Sequence, residues 1–191
     1  MYNTIKMIYY SYLFLFLLSY VNACNIHFFR GSFADKSIYS NFVQQLQNRL
    51  PDSTIDYQNY ITCKKFEKDT ILIGHSFGGV FALLYAMNNP ENVRGCILIN
   101  SHFNHNVQMP YASISMYDID QPVLCIFTDM DERLPCGKVF EDWEVAMNNK
   151  LNNKTFNLHK GTHFSIFTEE QSTEVISNRV VKFIKGIFNK K

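Results

Sequence analysis

The sequence predicts an α/β fold: a mostly parallel sheet of about six strands with helices on both faces. Three observations carry this expectation. Short apolar runs of strand length alternate with stretches of helical periodicity along most of the chain. Prolines punctuate the pattern, with Pro51 and Pro90 each closing a helical stretch. The 191 residues, 47% of them hydrophobic, are enough for one well-buried domain and too few for a substantial second one.

Residues 25–29 form the first strand candidate, ending at Arg30-Gly31, and a helical pattern follows over 36–50. An extended segment at 54–60 leads through the polar stretch 63–69 into a strand at 70–73. Residues 78–88 read as a helix, 93–99 as a buried strand, 122–128 as another strand, 137–150 as a helix and 155–158 as the last strand. The closing helix spans 169–188, with Ile176, Val180, Phe183, Ile184 and Ile187 on one face and lysines near its end.

Residues 1–23 read differently. Lys6 is the one charged residue there, an apolar run fills 7–21, and Val21-Asn22-Ala23 has the character of a signal-peptidase site. The expectation is a secretory signal cleaved after Ala23, placing residues 24–191 as one domain outside the cell or in the lumen of the secretory pathway. An uncleaved membrane anchor is the lesser alternative, because the run is shorter than the roughly 20 residues that span a bilayer. Of the five cysteines, Cys96 and Cys125 sit in apolar strand-like runs and are expected as buried packing residues. Any bridge within the chain should then come from Cys24, Cys63 and Cys136.

Charge excludes one class of partner. Eighteen basic residues against 17 acidic ones, without a strong cluster, lack the footprint of a nucleic-acid binder. His102 and His105 have spacing that could suit a metal, but no further ligand-rich segment accompanies them, so neither a metal nor a cofactor is expected.

The chemistry concentrates at Gly74-His75-Ser76-Phe77-Gly78-Gly79, between a predicted strand and a predicted helix. A Gly-x-Ser-x-Gly segment in that context is a nucleophile elbow: the turn is so tight that the serine backbone is strained, and side chains two residues either side would collide. The Ser76 hydroxyl is then held above the sheet at a helix N-terminus, with the Phe77 N–H available to an oxyanion. His75 is expected to be structural.

These residues make the chain resemble the α/β-hydrolase family, in particular its small lipases and esterases with Gly-His-Ser-x-Gly-Gly. The resemblance covers nearly all of the chain after residue 23 and implies an acid and then a histidine on later loops. Asp129-Met130-Asp131-Glu132-Arg133-Leu134-Pro135 resembles the acid loop and assigns Asp131, with Asp129 as runner-up; Gly161-Thr162-His163-Phe164 resembles the histidine loop and assigns His163. His159 falls too early. The loop after the first strand, Arg30-Gly31 where the family commonly has His-Gly, implies Ser32 as the second oxyanion donor, with Phe33 as the alternative.

The resemblance also implies a minimal member without a cap domain. Residues 101–121 are too short for one but carry apolar side chains, among them Phe103, Met109 and Tyr111, which with Phe33 could line an acyl pocket or simply pack over the sheet edge. The expected activity is a serine carboxylic ester hydrolase of lipase or esterase type. An acyl-thioesterase with the same triad, similar to the palmitoyl-protein thioesterases, and a catalytically silent binding protein are the alternatives. The expected partner is a small-molecule acyl ester or thioester, with a membrane involved only through an uncleaved N-terminal segment or a lipid substrate.

Overall fold

The computed structural model describes residues 24–32, 34–58, 66–101, 104–109, 112–115, 119–134 and 154–189. The expected signal at 1–23 and the helix at 137–150 lie outside the described residues, as do Cys63 and Cys136. The elements in chain order are β1 (Asn25–Phe29), α1 (Ser40–Arg49), β2 (Thr54–Gln58), β3 (Thr70–His75), α2 (Phe77–Asn88), β4 (Val93–Ile99), β5 (Asn104–Met109), β6 (Ala112–Ser115), β7 (Val123–Thr128), β8 (Lys154–His159), α3 (Ser165–Thr168) and α4 (Glu170–Phe188).

Six strands form one sheet in the order β2-β1-β3-β4-β7-β8, and every neighbouring pair is parallel. Strand alternation assigns the two faces. Ile71 and Ile73 of β3, Ile97 and Ile99 of β4, and Leu124 and Ile126 of β7 pack with Phe42 and Leu46 of α1, Ile166 and Phe167 of α3, and Ile176, Val180 and Ile184 of α4. Leu72, Cys96, Leu98, Val123 and Cys125 point the other way, onto Val80, Ala82, Leu83 and Ala86 of α2. Cys96 and Cys125 are thus buried packing residues. Cys24 is also a buried free thiol, beside the Ser53 hydroxyl at 3.3 Å, so it takes no part in a bridge.

Three features differ from the sequence expectation. The helix expected from residue 36 begins as one 3-10 turn, Lys36–Tyr39, whose cap is Asp35 accepting from the Ser37 N–H at 2.8 Å; α1 proper starts at Ser40. An unexpected single turn, α3, precedes the last helix and is separated from it by the extended Glu169 (φ −97°, ψ 122°), while α4 itself keeps the expected span to within a residue. The segment 101–121, expected as a loop, contains the antiparallel hairpin β5–β6, with Asn104 opposite Ser115 and Met109 opposite Ala112, and β6 lies against α2.

The strand order locates the site. From β1 the chain moves to β2 at one edge, and from β3 it moves the opposite way to β4, so the connections diverge between β1 and β3. In open α/β sheets the crevice at the carboxyl ends of such a pair is where ligands bind. Residues 30–32 leave β1 there, and Ser76 leaves β3.

Ile97 is fully buried in the middle of β4. Ile97→Ala should lower the unfolding free energy by about 2–5 kcal/mol, read by urea denaturation.

Candidate active site

Ser76 stands between the last residue of β3 and the first of α2 with φ 52° and ψ −126°. Such a backbone on a residue with a Cβ costs on the order of 1–3 kcal/mol and persists only where its surroundings over-determine it. They do so here. The Ser76 N–H donates to the Ile99 carbonyl at 2.9 Å, and its own carbonyl accepts from the Gly79 N–H at 3.0 Å. A Cβ on Gly74 would lie 2.5 Å from Gly79 N, and one on Gly78 2.6 Å from the Arg30 carbonyl oxygen. Both collisions are with backbone, so neither can be relieved by turning a side chain. Gly78 is therefore what lets the start of α2 press on the end of β1.

The loop after β1 runs against this turn. A Cβ on Gly31 would come within 3.2 Å of Ser76 Cβ and 2.9 Å of His75 Nδ1. The Gly31 N–H donates to the Tyr39 hydroxyl at 3.0 Å, and the Gly31 carbonyl accepts from the Ala34 N–H at 3.3 Å. Arg30, where a histidine was the family's usual residue, donates from Nη1 to the Ala34 carbonyl at 3.3 Å and so braces the same loop. Ser32 is half-buried in the turn. Phe33, Phe103 and Tyr111 lie outside the described residues, and Met109 is placed as the last residue of β5.

His163 sits in the turn between β8 and α3 and is fully buried. Nδ1 is 2.7 Å from Asp131 Oδ2. The His163 N–H donates to Glu132 Oε2 at 3.4 Å, and its carbonyl accepts from Asn100 Nδ2 at 3.0 Å and from His75 Nε2 at 3.2 Å. Nε2 alone is buried without a hydrogen-bond partner. The structure therefore joins Asp131 to His163 and brings the His163 ring to 4.7 Å from the ring of His75, the neighbour of Ser76; no hydrogen bond joins Ser76 to His163 Nε2.

Of the two aspartates, Asp131 faces the imidazole. Its other oxygen, Oδ1, accepts from the Arg133 and Leu134 N–H groups at 2.8 and 3.0 Å. Burial would raise the Asp131 pKa, but the hydrogen bond from His163, the two amides and the nearby imidazole outweigh it and leave the carboxyl below its ordinary range. An ionised carboxylate only accepts, so Nδ1 of His163 carries a proton, and in the neutral ring the lone pair is on Nε2. Asp129 does different work: its Oδ1 accepts from the Gly161 N–H at 2.8 Å, tying the acid loop to the histidine loop. His159 ends β8, where its carbonyl accepts from the Asp129 N–H at 3.0 Å.

His75 is fully buried, with Nδ1 2.8 Å from the Tyr39 hydroxyl. Burial first, and the neighbouring His163 second, push its pKa down to about 3. It is a neutral structural residue. Tyr39 and Asn100 were absent from the sequence reading. Asn100 had one available signal, a polar residue directly following the apolar strand 93–99; Tyr39 had none beyond its place in a helical pattern.

A model of the α/β-hydrolase fold matches residues 44–118. No curated protein matches the chain. Among solved structures, a membrane phospholipase A described as a bacterial virulence factor superposes with a TM-score of 0.65 at 14% identity, covering 88% of this chain and 81% of that one. A fluorophosphonate-binding serine hydrolase of Staphylococcus aureus gives 0.57 at 12% identity, over 85% and 84% of the two chains. The thioesterase domain of the curacin biosynthetic pathway gives 0.56 at 8% identity, over 85% and 91%. At these identities the likeness shows the fold.

The neutrality of His75 sets a pH dependence. In the unfolded chain a histidine takes up its proton near pH 6.5, whereas His75 does so only near 3. Between those values the unfolded state binds the extra proton, so stability present above pH 6.5 is lost as pH falls, by up to about 1.4 kcal/mol per pH unit. Denaturation curves from pH 7 to 4.5 should show this slope, and His75→Asn should flatten it by about one proton.

Proposed function

Because the chain has the α/β-hydrolase fold, we propose that it is a serine hydrolase that cleaves carboxylic esters through an acyl-enzyme on Ser76, with His163 as the base and Asp131 as the acid. The state of His163 carries this reading. Each of its polar atoms is hydrogen-bonded except Nε2, which is buried in a ring 4.7 Å from that of His75, the residue before the strained serine. Leaving a buried polar atom unpaired costs about 1–3 kcal/mol, a cost that a hydrogen bond from the Ser76 hydroxyl in the substrate complex would relieve. Hydrogen bonds to a catalytic base are commonly long before substrate arrives.

In the proposed reaction, Nε2 of His163 takes the Ser76 proton as Oγ attacks the acyl carbonyl carbon. The Phe77 and Ser32 N–H groups receive the oxyanion; Phe77 opens α2, whose dipole favours negative charge there. The tetrahedral intermediate collapses, Nε2 gives its proton to the leaving alcohol, and the acyl group stays on Ser76. Water then attacks with His163 again as base, releasing the acid and restoring the serine. Asp131 holds the Nδ1–H tautomer throughout and stabilises the transient imidazolium. Phe33, Phe103, Met109 and Tyr111 are proposed to line the acyl pocket, since the hairpin containing Met109 follows the carboxyl end of β4 and lies against α2. The apolar run at 7–21 supports export of the enzyme.

A second reading, an acyl-thioesterase using the same residues, is supported by the likeness to the curacin thioesterase domain. The two differ in the leaving group, a thiol in place of an alcohol.

A fluorophosphonate probe should label the wild-type protein and not Ser76→Ala, and His163→Ala should slow labelling by about 10³-fold or more. Parallel p-nitrophenyl esters and acyl thioesters then separate the readings: faster ester turnover is expected, faster thioester turnover favours the second, and an unlabelled, inactive wild type sinks both in favour of a silent binding protein.

A further inference from the structure

We propose that Tyr39, His75 and Asn100 are positioning residues: a continuous buried hydrogen-bond chain through their side chains fixes the main chain of His163 against the Gly31-Ser32 loop, so that base and oxyanion donor are held as one unit. The proposal rests on the Ser76, His163 and Asp131 reading above.

Elementary chemistry fixes the direction of every bond in this chain. The His163 carbonyl can only accept, so the His75 nitrogen 3.2 Å from it, Nε2, carries the ring proton. Neutral His75 then has a bare Nδ1, which accepts from the Tyr39 hydroxyl at 2.8 Å. With its proton committed, the Tyr39 oxygen accepts from the Gly31 N–H at 3.0 Å. On the other side, Asn100 Nδ2 donates to the same His163 carbonyl at 3.0 Å, and Asn100 Oδ1 accepts from the Thr128 N–H at 2.9 Å and its hydroxyl at 3.2 Å. The chain runs from the loop after β1, past the elbow, to the histidine turn and the last residue of β7.

The members are all out of solvent: Tyr39, His75, Asn100 and His163 are fully buried and Thr128 is nearly so. Water cannot replace a broken link, and each break leaves both a donor and an acceptor unsatisfied in a low-dielectric interior. The links therefore hold or fail together. Asn100 accepts a left-handed backbone, φ 43°, to reach its place, a conformation asparagine tolerates better than most residues.

Both ends of the chain meet the proposed reacting groups. At Gly31, Tyr39 holds the preceding peptide through its N–H, while the Ala34 N–H holds the following peptide through the Gly31 carbonyl. A trans peptide sends its N–H opposite to its carbonyl, so the direction of the Ser32 N–H is set by these two bonds. At His163, two donors hold the carbonyl and Asp131 holds Nδ1, which leaves the imidazole little freedom to turn. Tyr39 acts through its bonds to the His75 ring and the Gly31 N–H, so its contribution is to geometry, and misplacement of a base by a fraction of an ångström is costly.

The test uses the full chain and Tyr39→Phe, with 3-fluorotyrosine at position 39 as a second variant that keeps ring, packing and hydroxyl while changing donor strength. The readouts are the low-field proton NMR signal of His163 Nδ1–H, identified by its loss in Asp131→Ala, and the rate of fluorophosphonate labelling. Tyr39→Phe should move or broaden that signal, slow labelling about 10- to 100-fold and lower kcat for a p-nitrophenyl ester with KM little changed; 3-fluorotyrosine should move the signal in a fully folded protein. A signal and labelling rate that stay at wild-type values in both variants would overturn the proposal. A wild type that shows the signal yet resists labelling would overturn the hydrolase reading instead, and the signal in the two variants then decides the positioning claim by itself.

Discussion

The backbone of Ser76 is the constraint to which the surrounding structure answers. A serine at φ 52° is held by the carbonyl of Ile99 on one strand and by the start of α2 on the other side. That arrangement leaves no room for a Cβ at Gly74 or Gly78, because backbone already fills the space. Close approach of α2 in turn brings the end of β1 and its loop against the serine, where Gly31 fits and a larger residue would strike Ser76 and His75. The two apolar cores on either face of the sheet hold these backbones together, and the local strain of a few kcal/mol is small beside the burial that opposes it.

Around this turn, titratable groups are separated into distinct states by their surroundings. Asp131 is buried but meets three donors, so the ionised form prevails. His75 is buried between a tyrosine hydroxyl and a carbonyl, with no anion in contact, so the neutral form prevails. His163 lies between them, its tautomer set by one neighbour and its main chain by the other. Two histidine rings 4.7 Å apart thus differ in their bonding: one has both nitrogens hydrogen-bonded, whereas the other has Nδ1 on Asp131 and Nε2 without a partner.

Much of this was legible in the residues. The segments 25–29 and 93–99 became β1 and β4 with the same bounds, because the apolar residues that dominate them, Ile26, Phe28 and Phe29 in β1 and Cys96 to Ile99 in β4, are buried in the sheet core. The elbow was legible because its steric demand falls on particular glycines, and the Asp131-His163 contact was implied by the resemblance of 129–135 and 161–164 to the family's acid and histidine loops. What escaped had weaker local signals. Lys154 starts β8 although a lysine reads as solvent-facing; its Nζ is buried on the carbonyls of Ile119 and Gln121, 35 and 33 residues away. Between Met109 and Ala112, the ends of β5 and β6, the sequence reads Pro110-Tyr111 and lacks the Asn-Gly type of pair that announces hairpins. Tyr39 and Asn100 escaped because their meaning is in contacts with residues 36 and 63 positions away, His75 and His163, and no local pattern encodes such pairings.

If His163 activates Ser76 as proposed, a covalent acyl intermediate is the direct consequence of the account. The decisive measurement is rapid-quench mass spectrometry of the protein mixed with a p-nitrophenyl ester. The account predicts a burst of p-nitrophenol approaching one equivalent per chain, with the acyl mass carried by the peptide containing Ser76. Ester turnover without an acylated peptide, or acylation located elsewhere, would contradict it.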